Sequence, residues 1–128
     1  MGLDMYAWAV PTKPDMADIG EDVDGAEQFM YWRKHANLHG WMQALWAKKG
    51  GDDPEGFCTS LRLTLEDLDA LEADLTKLPY TTGFFFGTSP TPEDGQEFED
   101  QVAEDRAFVA KAREVIRLGM AVYYDSSW

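Results

Sequence analysis

Two histidines four residues apart, His35 and His39, lie in the one cationic stretch of an acidic chain. Gln28 to Gly51 contains Arg33, Lys34, Lys48 and Lys49 and no acid, whereas Asp15 to Glu27 and Glu93 to Asp105 contain acids and no base. An anionic ligand would be drawn to the cationic stretch, and so would the chain's own acidic segments. A histidine pair at this spacing seats a metal only with a third ligand, and no Glu follows His35 to complete the zinc-peptidase pattern. No metal and no cofactor is therefore expected. Cys58, the one cysteine, stands at the start of a strand-like run and reads as a small buried hydrophobe rather than a nucleophile. The chain has no Gly-x-Ser-x-Gly elbow, no phosphate-binding loop and no dinucleotide fingerprint.

The elements that must position these groups follow from periodicity. Leu3 to Val10 alternates as a strand, with Leu3, Met5, Ala7 and Ala9 on one face and Tyr6, Trp8 and Val10 on the other; Pro11 and Pro14 end it. A helix is expected from near Ala26 to about Lys48, stopped by Gly50 and Gly51. On its wheel Tyr31, His35, Leu38, Met42, Leu45 and Trp46 share the core face, with Trp32 and His39 at the edge. Met30, Lys34, Asn37, Trp41 and Lys48, flanked by Arg33, fall opposite. Trp41 beside Asn37 and Lys34 is a group that could stack a flat ligand and hold its polar edge or phosphate. The alternative is that Trp41 packs under a loop or in a dimer contact.

Phe57 to Leu63 reads as a second strand, and Thr64 as the N-cap of a helix from Leu65 to Leu78 that Pro79 closes. Gly83 to Gly87, with its three phenylalanines, reads as a short buried strand. A helix from Gln96 to Leu118 carries the apolar stripe Phe98, Val102, Val109, Ala112 and Ile116, and Met120 to Tyr124 is the last strand. Asp105 falls inside that stripe. A buried carboxylate is costly unless paired, so Asp105 is expected to be buried and bonded to Arg33, His35 or His39. It would then be a structural bridge or, in the sharper reading, a site acid oriented by a histidine. The fold class is α+β: one domain over residues 1–128, with three helices packed on a small sheet of about four short strands. The first and last helices are expected to pack through Leu38/Met42 and Val102/Val109.

The net charge of −13 argues against nucleic acid and against an anionic membrane surface, both of which need a basic face. No apolar run approaches the ~20 residues of a membrane span, and the N-terminal segment lacks the basic region of a signal peptide. A cytoplasmic setting is expected.

Three motifs carry a resemblance. Trp32, Arg33, Lys34, Asn37, Leu38, His39, Trp41 and Met42 follow the pattern Trp-Arg-Lys-x-Asn-x-Ile-His-x-Trp-Phe; Leu78, Pro79 and Thr81 precede Gly83 to Gly87; and the chain closes on Tyr124, Asp125, Ser126, Ser127 and Trp128. From about Phe29 to Trp128 the sequence resembles a family of small phage and prophage proteins of unknown function. Some members carry the label phosphoglycerate kinase, an enzyme several times longer whose nucleotide site has no counterpart here. His35 stands where the family often has Ala or Asn, Tyr80 interrupts its Leu-Pro-Thr run, and Asp105 matches an acid in its last helix.

The resemblance implies an accessory protein acting in a host cell. The expected function is non-catalytic binding of a small anionic, nucleotide-like ligand, as in sequestration of a host immune signal. Arg33 and Lys34 would hold phosphate, Trp41, Tyr124 or Trp128 would stack a base, and Asn37, His39, Ser126 and Ser127 would supply hydrogen bonds. Trp32, Arg33, Asn37, His39, Trp41 and the 124–128 end would converge on one pocket, or on a latch whose anion site the terminal carboxylate fills. The rival readings are an acidic inhibitor of a basic host protein and an enzyme using His39 and Asp105. Expected partners are thus a small anion or a host protein, with self-association left open.

Overall fold

The helix expected over residues 26–48 is two elements. In the structure, a computed structural model that describes residues 2–51, 59–83 and 86–128, Glu27–Arg33 is a strand (β2) and only Ala36–Lys48 is helical (α1). β2 pairs antiparallel with β1, Asp4–Pro11. The physical reason lies in Phe29 to Trp32, a run of bulky residues that suits a pleated surface better than a helix. Its alternation buries Trp32 (3% exposed) and turns Tyr31 outward (43% exposed), against the helical wheel, which put Tyr31 in the core. Lys34, at φ 57°, makes the left-handed corner between strand and helix and donates its N–H to the Leu3 carbonyl.

Among the described residues β3 (Leu61–Leu63), α2 (Leu65–Asp74), α3 (Gln96–Arg117) and β4 (Met120–Ser127) follow, with a 3-10 turn at Pro92–Asp94. The result is an α+β fold with, among the described residues, three helices and one four-stranded antiparallel sheet, ordered β2-β1-β4-β3. Thr64 caps α2 as expected, exchanging hydrogen bonds with Asp67, but α2 ends at Asp74, short of Leu78. β4 runs to Ser127, beyond the expected Tyr124, and pairs with β1 along its length. The expected strand at 83–87 is not among the described strands. Phe86 donates its N–H to the Gly83 carbonyl, while Phe84 and Phe85 lie outside the described residues. Of the expected 57–63 strand, Phe57 and Cys58 also lie outside them, Thr59 and Ser60 are not in a strand, and only Leu61–Leu63 pairs in the sheet.

One sheet face, with Leu3, Met5, Ala7, Trp32, Leu61, Leu63, Val122 and Tyr124, meets the helices in a single core. The other carries a smaller cluster of Val10, Ala121 and Tyr123, with Met16, Val23 and Ala26 packed on it. Leu38, Met42, Val102 and Val109 all reach the main core, but the helix flanking α3 is α2 rather than the expected α1. Arg113 of α3 bonds Asp69 and Glu72 of α2, which ties that pair. Among the described residues no helix is long and apolar enough to cross a membrane.

Gly40 shows how closely α1 is packed. A β-carbon there would overlap the Thr81 side chain. Alanine in a helix interior normally stabilises by up to ~1 kcal/mol relative to glycine. Gly40→Ala is instead expected to destabilise by roughly 1–3 kcal/mol, the cost of overpacking. Urea denaturation gives the sign directly.

Candidate functional site

The junction between β2 and α1 places His35 at the N-cap of α1, where its own side chain makes no capping bond. Ser89, from the segment before the 3-10 turn, does that work in trans: its Oγ accepts the Asn37 N–H at 2.9 Å. The same Oγ lies 2.7 Å from His35 Nδ1. On the far side of the ring, His35 Nε2 bonds Asp105 Oδ2 at 2.8 Å. Asp105 Oδ1 accepts two further N–H groups, from Trp32 Nε1 and from Gln101 Nε2, each at 3.2 Å. His35 is 4% exposed and Asp105 1%. The carboxylate in the apolar stripe is thus supplied with three partners, which is what makes its burial tolerable.

Ser89, His35 and Asp105 stand in the order of a nucleophile, a base and an orienting acid. The Ser89 oxygen, however, is engaged by the start of α1, and the residue is 8% exposed. The chain of bonds acts here as a rivet joining β2, α1, the 89 segment and α3.

Above the rivet lies a cavity of about 250 Å³. It is bounded by the start of α1, the segment after α2 from Leu75 to Tyr80, residues 90–92 and α3 from Phe98 to Asp105. His35 and Asp105 contribute polar lining, and Leu78, Phe98, Val102 and two prolines the apolar walls. Asn37 Oδ1 accepts the Thr81 N–H, and among the described residues no hydrogen bond engages its Nδ2. Gln101 spends Nε2 on Asp105 and keeps Oε1. Lys77 and Tyr80, the latter 74% exposed, stand at the solvent side. An adjoining groove of about 490 Å³ shares Phe98 and Val102 and reaches Arg106.

Among the described residues, the expected set does not gather in one pocket. Of its residues, Asn37 lines the cavity, and Trp32 touches it only through Asp105. Arg33 turns outward to an ion pair with Asp4 at 2.9 Å. The Tyr31 hydroxyl, with Arg33 beside it, holds the Asp4 carboxyl below its usual range. Lys34 runs past Gly2 and Gly87, where any β-carbon would crowd its side chain. Trp41 donates Nε1–H to Asp74 across the α1–α2 groove. Ser126 is buried and its Oγ has no partner among the described residues, whereas Ser127 is exposed.

A second set does converge. His39 is buried, with Nδ1 2.7 Å from the Tyr124 hydroxyl and its ring edge-on to Phe86 and Trp128. Residues from all three sequence motifs, two of them from the last, therefore meet at His39, inside the core. Burial pushes the His39 pKa down from 6.5 to about 4. The two histidines face different partners, and among the described residues no group of three or more His, Cys, Asp or Glu is placed to hold a metal. Sequence reading missed Ser89 and Gln101. Gln101 stands one helical turn before Asp105, a spacing at which an amide reaches a carboxylate; Ser89 gives no comparable local signal.

No family model matches the chain, and no curated protein or solved structure is found to match it.

Proposed function

We propose that the chain binds, without transforming it, a small anionic, nucleotide-like ligand in the cavity over His35 and Asp105. The observation that carries this reading is the pairing of an apolar cavity with a few fixed polar groups, the usual form of a small-molecule site. The rivet beneath fixes the floor, Asn37 and Gln101 line the cavity with no hydrogen bond to Nδ2 or Oε1 among the described residues, and Lys77, 3.9 Å from Asp74, and Arg106 are the cations at hand. The resemblance to phage proteins supports the setting: a cytoplasmic accessory factor that takes a host signal out of circulation.

A thermal-shift panel of nucleotides, sugar phosphates and small carboxylates tests the reading. A ligand held at a hundred times its Kd adds about 2.7 kcal/mol, a rise of several °C for a chain of this size. At least one member should produce that rise, and Asn37→Leu with Gln101→Leu should abolish it. A panel without any shift would refute the reading.

The rival, an acidic inhibitor of a basic host protein, is favoured by one observation. Glu93, Asp94, Glu97, Glu99, Asp100 and Glu104 are all exposed along one stretch. A salt-sensitive complex with a basic host protein, lost when these acids are neutralised, would favour it over ligand binding.

A further inference from the structure

The cavity's chemistry points to which end of such a ligand enters it. We infer that the cavity is a site for a nucleobase, with the anionic group left outside; this rests on the binding reading above. Three observations support that orientation. First, the floor is a carboxylate, and the only Lys or Arg among the described lining residues is Lys77, on the solvent side. The one α1 amide shown to face this junction, Asn37 N–H, is already taken by Ser89. A phosphate driven inward would meet Asp105 and lose its water for no cation.

Second, the open polar groups are a donor and an acceptor, Asn37 Nδ2 and Gln101 Oε1. That is the complement of a nucleobase edge, where donors and acceptors lie side by side. The flat walls from Phe98 and the prolines, with Tyr80 at the solvent side, suit the faces of such a ring.

Third, about 250 Å³ falls below the ~300–1,000 Å³ of sites that enclose drug-sized ligands. The cavity suits one ring system rather than a whole nucleotide. The remainder would lie along the adjoining groove, where Arg106, beside Glu99, is the cation placed to meet a phosphate; Lys77 stands at the solvent side of the cavity itself.

Calorimetric titration of the whole chain decides this, using the four common ribonucleosides, their 5′-monophosphates, ribose 5-phosphate and pyrophosphate. For at least one base, the nucleoside should bind within about tenfold of its monophosphate, and the two base-free anions should not bind. Gln101→Leu should weaken nucleoside and nucleotide alike by tenfold or more. Tyr80→Ala, an exposed change that leaves the fold intact, should weaken both by about tenfold (~1.4 kcal/mol). Lys77→Gln together with Arg106→Gln should weaken only the monophosphate. If ribose 5-phosphate or pyrophosphate binds as tightly as the nucleotides and no nucleoside binds, the orientation is wrong and the anion-binding reading survives. If nucleosides bind but neither Gln101→Leu nor Tyr80→Ala matters, the nucleobase site is not this cavity. If neither nucleosides nor any anion binds, both readings fall.

Discussion

Asp105→Ala is expected to lower stability by roughly 3–5 kcal/mol, the range for breaking a buried pair from one side. Trp32 Nε1–H loses its acceptor, and His35 Nε2 is left facing a void. Both lie in the core at under 5% exposure, so water cannot easily replace the lost partner. The loss also frees the His35 ring, and with it Ser89, which caps α1. The melting temperature should fall by on the order of 10 °C. Asp105→Asn keeps the shape and one acceptor oxygen, so it should cost less. An alanine variant that melts like the wild type would mean that the bonds around His35 and Asp105 do not hold these segments together.

A second large effect is expected on acidification. Burial holds folded His39 neutral down to a pKa of about 4, against 6.5 for the free side chain. Between those values the unfolded chain takes up a proton that the folded chain refuses. The folded pKa is the lower one, so the stabilising effect is complete above about pH 6.5 and is lost as pH falls towards 4. At 1.36 kcal/mol per pH unit the loss amounts to about 3 kcal/mol. Replacing His39 with Gln should remove this part of the pH dependence, whatever the variant costs at pH 7. The stability difference between wild type and His39→Gln, followed by urea denaturation from pH 7 to 4, should therefore shrink steadily. Parallel curves would show that His39 is protonated in the folded chain or is not closed off from water.

The same residues show what can be read from sequence. The buried acid was legible because one charge in a 3.6-residue apolar stripe stands out, and a cationic segment was there to answer it. The strand Leu3 to Val10 was legible from strict alternation, and Thr64 from its capping pattern. The β2–α1 segment was not. Phe29 to Lys48 keeps bulky apolar residues at helical spacing throughout, and the break is made by one left-handed lysine, which no local rule assigns to that position. That misreading displaced the expected site, because a wheel drawn through a strand puts Arg33, Asn37 and Trp41 on one face. In the fold Arg33 leaves on the sheet, Trp41 turns to α2, and only Asn37 reaches the cavity. The cavity itself depends on four segments far apart in the chain, and periodicity holds no record of how they meet.

Side-chain amide NMR on the whole chain, with a nucleotide titrated in, tests the central claim most directly. The Asn37 and Gln101 NH2 resonances report the cavity, and the indole N–H signals of Trp41 and Trp128 report the places where sequence alone had put the ligand. Binding in the cavity predicts saturable shifts at Asn37 and Gln101, with Trp41 and Trp128 unmoved. Shifts confined to Trp41 or Trp128, or no saturable shift with any nucleotide, would contradict it.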